Sequence, residues 1–216
     1  MTASAILLVG PTGSGKSPLG DTLQEKGLHG VPCAHFDFGS HLRAVALARE
    51  QVAGLSAGDR DSVRSVVRSG VLLEDGQFHI ARAILSAFFV TANVDERTLV
   101  VLNGLPRHIG QARDLRSIVS VQGVVTLECP AAVVLERIHT NAGRDRTRRI
   151  DDDLEAVQAR LETFRQETIP MLDHYRAEGV TLMPLAVGPR TTGRDLWREL
   201  AATGLFAAPD DTPRSS

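Results

Sequence analysis

Cysteine is scarce in this sequence, and the scarcity excludes two kinds of protein. Only Cys33 and Cys129 are present, and neither belongs to a Cys-x-x-Cys pair. Two cysteines cannot form the disulfide framework of a small secreted domain or the thiolate cluster of a structural zinc site. His29, His35 and His41 share no helix or strand face, so we expect exposed or capping histidines instead of a metal site. A reducing, cytoplasmic setting suits such a chain.

Long apolar runs and a large excess of charge are also absent. The run Ala5 to Val9 ends at Gly10-Pro11 and lacks a positively charged segment before it, so it is too short for a signal peptide or a membrane span. The formal net charge of −2 provides no basic field for a nucleic acid. We therefore expect small-molecule partners, with neither a membrane nor a nucleic acid among them.

What is present indicates one α/β domain. Apolar, β-branched segments alternate with stretches of helical spacing, which favours a three-layer fold, a parallel sheet with helices on both faces. The 216 residues, 43% hydrophobic and 23% charged, are ordinary for one soluble domain. The candidate strands are Ala5 to Val9, Pro32 to Phe36, Thr98 to Leu102, Val121 to Leu127 and Val180 to Leu185.

Two longer segments have helical patterns. Residues 40–89 are helical in pattern throughout, with breaks near Gly54, Gly58 and Gly70, which predicts a helical insert. An amphipathic pattern from 151 to 178, acidic over its first turn, predicts one long helix that is bent or broken before Pro170. The small, polar, proline-containing residues 207–216 predict a disordered tail after a domain of residues 1–206.

The segment from Gly10 to Ser17 fits the P-loop pattern, in which glycines let backbone N–H groups surround a phosphate. An apolar strand precedes it and a candidate helix follows, so a simple glycine turn is the weaker interpretation. Lys16 would reach the β and γ phosphates of ATP, and the Ser17 hydroxyl would ligate Mg²⁺. The predicted ATP phosphate-binding residues are Gly10, Thr12, Gly13, Ser14, Gly15, Lys16 and Ser17.

Four later segments carry motifs of one enzyme family, in its order and at its spacing. Residues 100–107 (VVLNGLPR) with Gln111 resemble D-G-[FY]-P-R and its following glutamine. Residues 149–152 (RIDD) with Arg160 resemble the family's R-x-D-D helix start and later R-L. Residues 38–43 (FGSHLR) resemble T-G-D-L-[LI]-R, and residues 70–75 resemble G-x-L-V-P-[DL]. As a set, these segments resemble the adenylate kinase family, and the resemblance extends from Ile6 to about Phe206.

The resemblance implies a nucleoside monophosphate kinase of the P-loop kinase fold, with Mg²⁺ as cofactor, ATP as co-substrate and AMP as the expected acceptor. It also implies a monophosphate-binding insert at about residues 40–89 and a short lid at about 139–148. We expect a monomer, since closing a lid and an insert needs no partner subunit. The implied catalytic residues are Lys16, Arg107, Arg149, Arg160 and Arg144. The implied adenine-binding residues are Arg137, Val187 and Gly188. The implied monophosphate-binding residues are Gly39, Arg43, Leu72, Leu73, Arg107 and Gln111, with Gln111 reading the base.

The sequence departs from the family pattern at the metal and the acceptor. Asn103 stands where the family has the aspartate that supports hydrated Mg²⁺, and an amide cannot supply that charge; the implied metal residues are Ser17 and, through water, Asn103. Asp37 is a candidate replacement carboxylate, with a strand-end helix cap as the alternative. Phe38 and Ser40 replace the threonine and aspartate of the monophosphate segment.

Two other functions therefore remain open. Phe38 and Ser40 are compatible with a P-loop kinase of another small acceptor, such as a sugar or metabolite alcohol. Asn103 is compatible with a sensor that binds a nucleotide without transferring its phosphoryl group. P-loop folds host many activities, so the fold alone does not separate these functions.

Overall fold

A computed structural model describes residues 2–49, 51–142 and 154–206. The described residues form one five-stranded parallel sheet in the order β2-β3-β1-β4-β5. The strands are β1 (Ala3–Val9), β2 (Cys33–Asp37), β3 (Leu99–Asn103), β4 (Val119–Glu128) and β5 (Thr181–Ala186). The predicted α/β class is confirmed, and each candidate strand is present, with β4 longer than predicted at both ends.

Helices cover both faces of the sheet. They are α1 (Lys16–Lys26), α2 (Phe38–Ala46), α3 (Ala57–Ser69), α4 (Phe78–Thr91), α5 (Ile109–Leu115), α6 (Ala131–Thr140), α7 (Leu154–Thr163), α8 (Ile169–Ala177) and α9 (Gly193–Ala202). A π-helical turn, Phe164–Thr168, joins α7 to α8. The predicted break before Pro170 is confirmed, whereas the predicted helix start at Asp151 lies outside the described residues.

The central strand β1 divides the core into two clusters. Alternate side chains of a strand point to opposite faces, so Leu7 packs in the cluster that contains α4, while Ile6 packs in the cluster that contains α1 and α9. Ala5 to Val9 are each at most 4% exposed. Such burial on both faces is expected for a continuous apolar run in a parallel sheet.

The predicted break near Gly58 falls at the start of α3, one residue before the glycine. Gly58 lies inside α3, because Ser56 and Asp59 form a capping box that starts the helix one residue earlier. The Ser56 Oγ accepts from the Asp59 N–H at 3.1 Å, and the Asp59 carboxylate accepts from the Ser56 N–H at 2.9 Å. The other two breaks are confirmed, with Gly54 and Gly70 at φ of 83° and 72°.

Several predicted boundaries stay predictions. The short lid at 139–148 falls mostly on residues outside the described ranges, and the tail at 207–216 falls entirely outside them. The division into a core and an insert at 40–89 is likewise a prediction. Among the residues that are described, none of the helices combines the length and the apolar character needed to cross a membrane.

Helix α9 lies directly against the backbone of α1. A Cβ added at Gly193 would stand 2.2 Å from the Pro18 carbonyl oxygen, so only glycine permits this approach. The Trp197 Nε1–H donates to the Gly27 carbonyl at 2.9 Å and fixes the far end of α1. Because α1 carries Lys16 at its first position, this packing also holds the phosphate-binding end of the helix.

We predict that Gly193→Ala lowers the free energy of unfolding by about 1–3 kcal/mol, since the added methyl group meets backbone that cannot rotate away. Gly58→Ala is the matched control, because its Cβ would meet only the Ser56 Oγ, at 3.8 Å. Urea unfolding of the two variants and the parent measures the difference. Equal stability of Gly193→Ala and the parent would contradict the close α1–α9 contact.

Candidate active site

The P-loop connects β1 to α1 and needs glycine at two positions. Gly13 and Gly15 have φ of 77° and 99°, a region that side chains rarely adopt, so a substitution at either position would be strained. Gly15 is also the N-cap of α1, which directs the N–H groups of the helix toward the loop. The Lys16 Nζ donates to the Gly10 and Pro11 carbonyls at 2.6 and 2.8 Å. The lysine ammonium is therefore enclosed by its own loop.

One cleft brings most of the predicted residues together. Its walls come from the P-loop, the ends of β2 and β3, the segment after α3, and α7. Arg43 on α2, Arg107 after β3 and Arg160 on α7 enter the cleft from three separate elements. The predicted residues that line it are Gly10, Thr12, Gly13, Gly15, Lys16, Ser17, Gly39, Arg43, Leu72, Leu73, Asn103, Arg107, Gln111 and Arg160. Ser14 does not line it, and its Oγ is buried without a hydrogen-bond partner.

Gln111 is fixed at both ends of its side chain. Its Oε1 accepts from the Arg107 N–H at 2.9 Å, and its Nε2 donates to the Leu73 carbonyl at 3.1 Å. The residue is 2% exposed. Gln111 thus ties the segment after α3 to the loop after β3. Its predicted base-reading role stays a prediction, and binding of a base by this side chain would have to exchange one of these bonds.

Arg137 contacts Gly188, as the predicted adenine site requires, but both residues lie outside the cleft. Its guanidinium donates to the Gly13 carbonyl at 3.0 Å and to the Gly188 and Thr191 carbonyls, each at 2.8 Å. Arg137 is 2% exposed and Val187 is 3% exposed. The arginine therefore clamps the P-loop to the loop between β5 and α9. Adenine binding by these three residues stays a prediction.

We predict that Arg137→Lys destabilises the protein by about 1–3 kcal/mol, because an ammonium cannot span carbonyls on two loops and leaves buried acceptors unpaired. Arg198→Lys is the control, since the Arg198 side chain is 70% exposed. Urea unfolding of both variants measures the cost. If the two substitutions cost the same, the clamp does not stabilise the fold.

Ser17 and Asn103, the two predicted metal residues, meet at the Asp37 carboxylate. Asp37 Oδ2 accepts from the Ser17 Oγ at 2.6 Å and from the Asn103 Nδ2 at 3.0 Å. Burial raises the pKa of Asp37. Hydrogen bonds from Ser17 and from the Ser40 N–H, together with the fields of His35 and Arg43, lower this pKa by more than burial raises it. The net pKa lies below its ordinary value, so the carboxylate is ionised at neutral pH.

Sequence reasoning missed His35 as part of this site. The expectation of an exposed or capping histidine is wrong here, because the His35 side chain is 5% exposed and its Nδ1 lies 2.9 Å from Asp21 Oδ1. Strand alternation was the available signal. Counting by twos along β2 puts His35 on the same face as Asp37.

Two predicted catalytic residues, Arg144 and Arg149, lie outside the described residues. Within the described ranges, no three His, Cys, Asp or Glu side chains lie close enough together to hold a metal ion.

A P-loop at the central strand of a parallel sheet, facing arginines from three other elements, is the arrangement expected of a P-loop kinase. Comparison with known families specifies which kind. The family model described as adenylate kinase matches residues 8–180. The chain belongs to the adenylate kinase family, a family of phosphotransferases, and its enzyme class is nucleoside monophosphate kinase.

Individual relatives match nearly their whole length. A Stenotrophomonas maltophilia (strain R551-3) protein named adenylate kinase is 31% identical over 189 residues, 85% of this chain and 91% of the relative. A Synechococcus (strain WH7803) adenylate kinase is 29% identical over 85% of this chain and 90% of the relative. A Methylorubrum extorquens (strain PA1) adenylate kinase is 28% identical over 92% and 99% of the two chains.

Proposed function

We propose that this protein transfers a phosphoryl group from Mg·ATP to AMP. The observation that carries the proposal is the convergence of Lys16, Arg43, Arg107 and Arg160 on one cleft. The relatives named adenylate kinase support AMP as the acceptor.

The chemistry needs positive charge from several directions. An oxygen of the acceptor phosphate attacks the γ-phosphorus of ATP, the bond to the ADP oxygen breaks, and two ADP molecules result. Negative charge spreads over the equatorial oxygens during transfer, so fixed cations lower the barrier. In this proposal Lys16 binds the β and γ phosphates, Arg43 and Arg107 hold the acceptor phosphate, and Arg160 acts on the transferring group.

The cleft also contains oxygen donors that suit Mg²⁺. The Ser17 hydroxyl, at the start of α1, would hold the ion beside the phosphates, which is the use that P-loop proteins make of this position. When bound, the ion neutralises developing charge between the β and γ phosphates.

We predict that purified protein with Mg·ATP releases ADP faster with AMP than with CMP, UMP, GMP or their deoxy forms, and that Lys16→Ala lowers kcat/KM for AMP by about 100-fold or more. The chain has one other lysine, Lys26, so Lys26→Ala is the matched control and should keep most activity. A coupled ADP assay measures both.

No release of ADP with any of the nucleoside monophosphates would refute this proposal. ATP binding without any transfer would then favour the sensor.

We predict that Arg43→Ala raises KM for the acceptor by about 10-fold or more, because a charge-assisted hydrogen bond to phosphate is lost, with less effect on KM for ATP. Arg49→Ala, an exposed arginine just beyond α2, is the control. Initial rates with each substrate varied in turn separate the two constants. A larger rise in KM for ATP than for the acceptor would contradict the assignment of Arg43.

A second candidate is a P-loop kinase of another small acceptor. The specific observation in its favour is that Gln111 already bonds Leu73 and Arg107 at its two polar ends. Phosphoryl transfer to a metabolite alcohol, with none to nucleotides, would establish this candidate. A monomeric state and a cytoplasmic location remain part of the proposal, the first testable by sedimentation.

A further inference from the structure

The carboxyl ends of β2 and β3 place an acid beside an amide. Asp37 and Asn103 are direct partners in the parallel register of the two strands. Both reach the first turn of α1, where the Ser17 Oγ lies 2.6 Å from Asp37 Oδ2 and 3.1 Å from Asn103 Nδ2. The family's aspartate position is thus occupied by an amide whose strand neighbour is a carboxylate.

The two oxygens of Asp37 have separate partners. Oδ1 accepts from the Ser40 N–H at 2.9 Å and caps α2. Oδ2 faces the P-loop and accepts from Ser17. The helix cap therefore leaves the other oxygen available to the phosphate-binding end of the cleft. The two interpretations of Asp37 that the sequence leaves open are compatible with each other.

Asn103 is oriented with its NH₂ group toward Asp37. Its Nδ2 also lies 3.5 Å from His35 Nε2, and Asp21 pairs with the opposite nitrogen of that ring. Gly20 makes room for the ring, since a Cβ there would lie 2.3 Å from it.

An amide suits position 103 because Asp37 is already charged. Two carboxylates that share a site cannot both be ionised without a large cost, whereas an NH₂ group stabilises its carboxylate neighbour. The neutral residue on β3 and the acid on β2 therefore form one matched pair.

We propose that Asp37 supplies the carboxylate of the magnesium site in this chain, with Ser17 Oγ as the oxygen ligand and Asn103 as the neutral partner. The proposal rests on the proposed function, since it presumes Mg·ATP in the cleft. The Ser17 hydroxyl donates its hydrogen to Asp37, which leaves an oxygen lone pair for the cation. Mg²⁺ prefers such oxygen ligands, and the carboxylate adds the charge that Asn103 lacks.

The negative charge of Asp37 predicts in which direction its removal changes ATP binding. A carboxylate next to the phosphates repels metal-free ATP and attracts the ion that accompanies Mg·ATP. Removal of the Asp37 charge should therefore strengthen binding of metal-free ATP and weaken binding of Mg·ATP.

The test is calorimetric titration of the full chain with ATP, without an acceptor, in EDTA and in excess Mg²⁺. The measured quantity is the metal preference, which is the dissociation constant for ATP in EDTA divided by the dissociation constant in excess Mg²⁺. We expect Asp37→Asn to lower this metal preference by about 10-fold or more, the usual range for loss of a residue that supports a metal ligand. The exchange variant Asp37→Asn with Asn103→Asp should restore it.

Control measurements separate loss of the Asp37 charge from effects on folding and from a general change of charge. Asparagine and serine both cap helices, so Asp37→Asn and Asp37→Ser should retain the start of α2, as melting temperatures will show. Asp61→Asn removes an exposed carboxylate from α3, where the side chain is 72% exposed, and should leave the ratio unchanged.

The outcomes separate this inference from the proposed function. An unchanged metal preference in both folded Asp37 variants overturns the assignment of Asp37, even when AMP is phosphorylated. A metal preference that falls in Asp37→Asn and returns in the exchange variant supports the assignment, even when no acceptor is found. Failure of the parent to prefer Mg·ATP overturns it as well.

Discussion

The parallel pairing of β2, β3 and β1 is the constraint on which the candidate site depends. Because the three strands run the same way, their carboxyl ends reach one edge of the sheet. The P-loop leaves from β1, Asp37 ends β2 and Asn103 ends β3. Reversal of any one strand would move its side chain to the opposite edge, where neither Lys16 nor Ser17 could be reached.

Local features of the site could be predicted from the sequence. The P-loop is a continuous pattern with a mechanism, and its two strained glycines have the positive φ that the pattern implies. The break before Pro170 could also be predicted, because proline interrupts helical hydrogen bonds. The start of α3 is also marked in the sequence, because Ser56 and Asp59 carry its capping signal.

Long-range features could not be predicted in the same way. Asp37 and Asn103 are 66 residues apart, and their hydrogen bond depends on the strand register. The Arg137 clamp is harder still, because its acceptors are backbone carbonyls, which every residue possesses and no side-chain pattern marks. Strand alternation places His35 on the same face as Asp37, but only the packing of α1 shows that Gly20 makes room for its ring.

The neighbouring positions of Asp37 and Asn103 also affect how related chains are recognised. Adjacent strands are about 4.8 Å apart, so an acid can change strands and remain next to the same serine hydroxyl. A search that demands aspartate before Gly-Leu-Pro-Arg would discard this chain as inactive, although the negative charge is still present one strand away. Two chains that carry the acid on opposite members of this strand pair would thus place it beside the same hydroxyl while differing in both motifs.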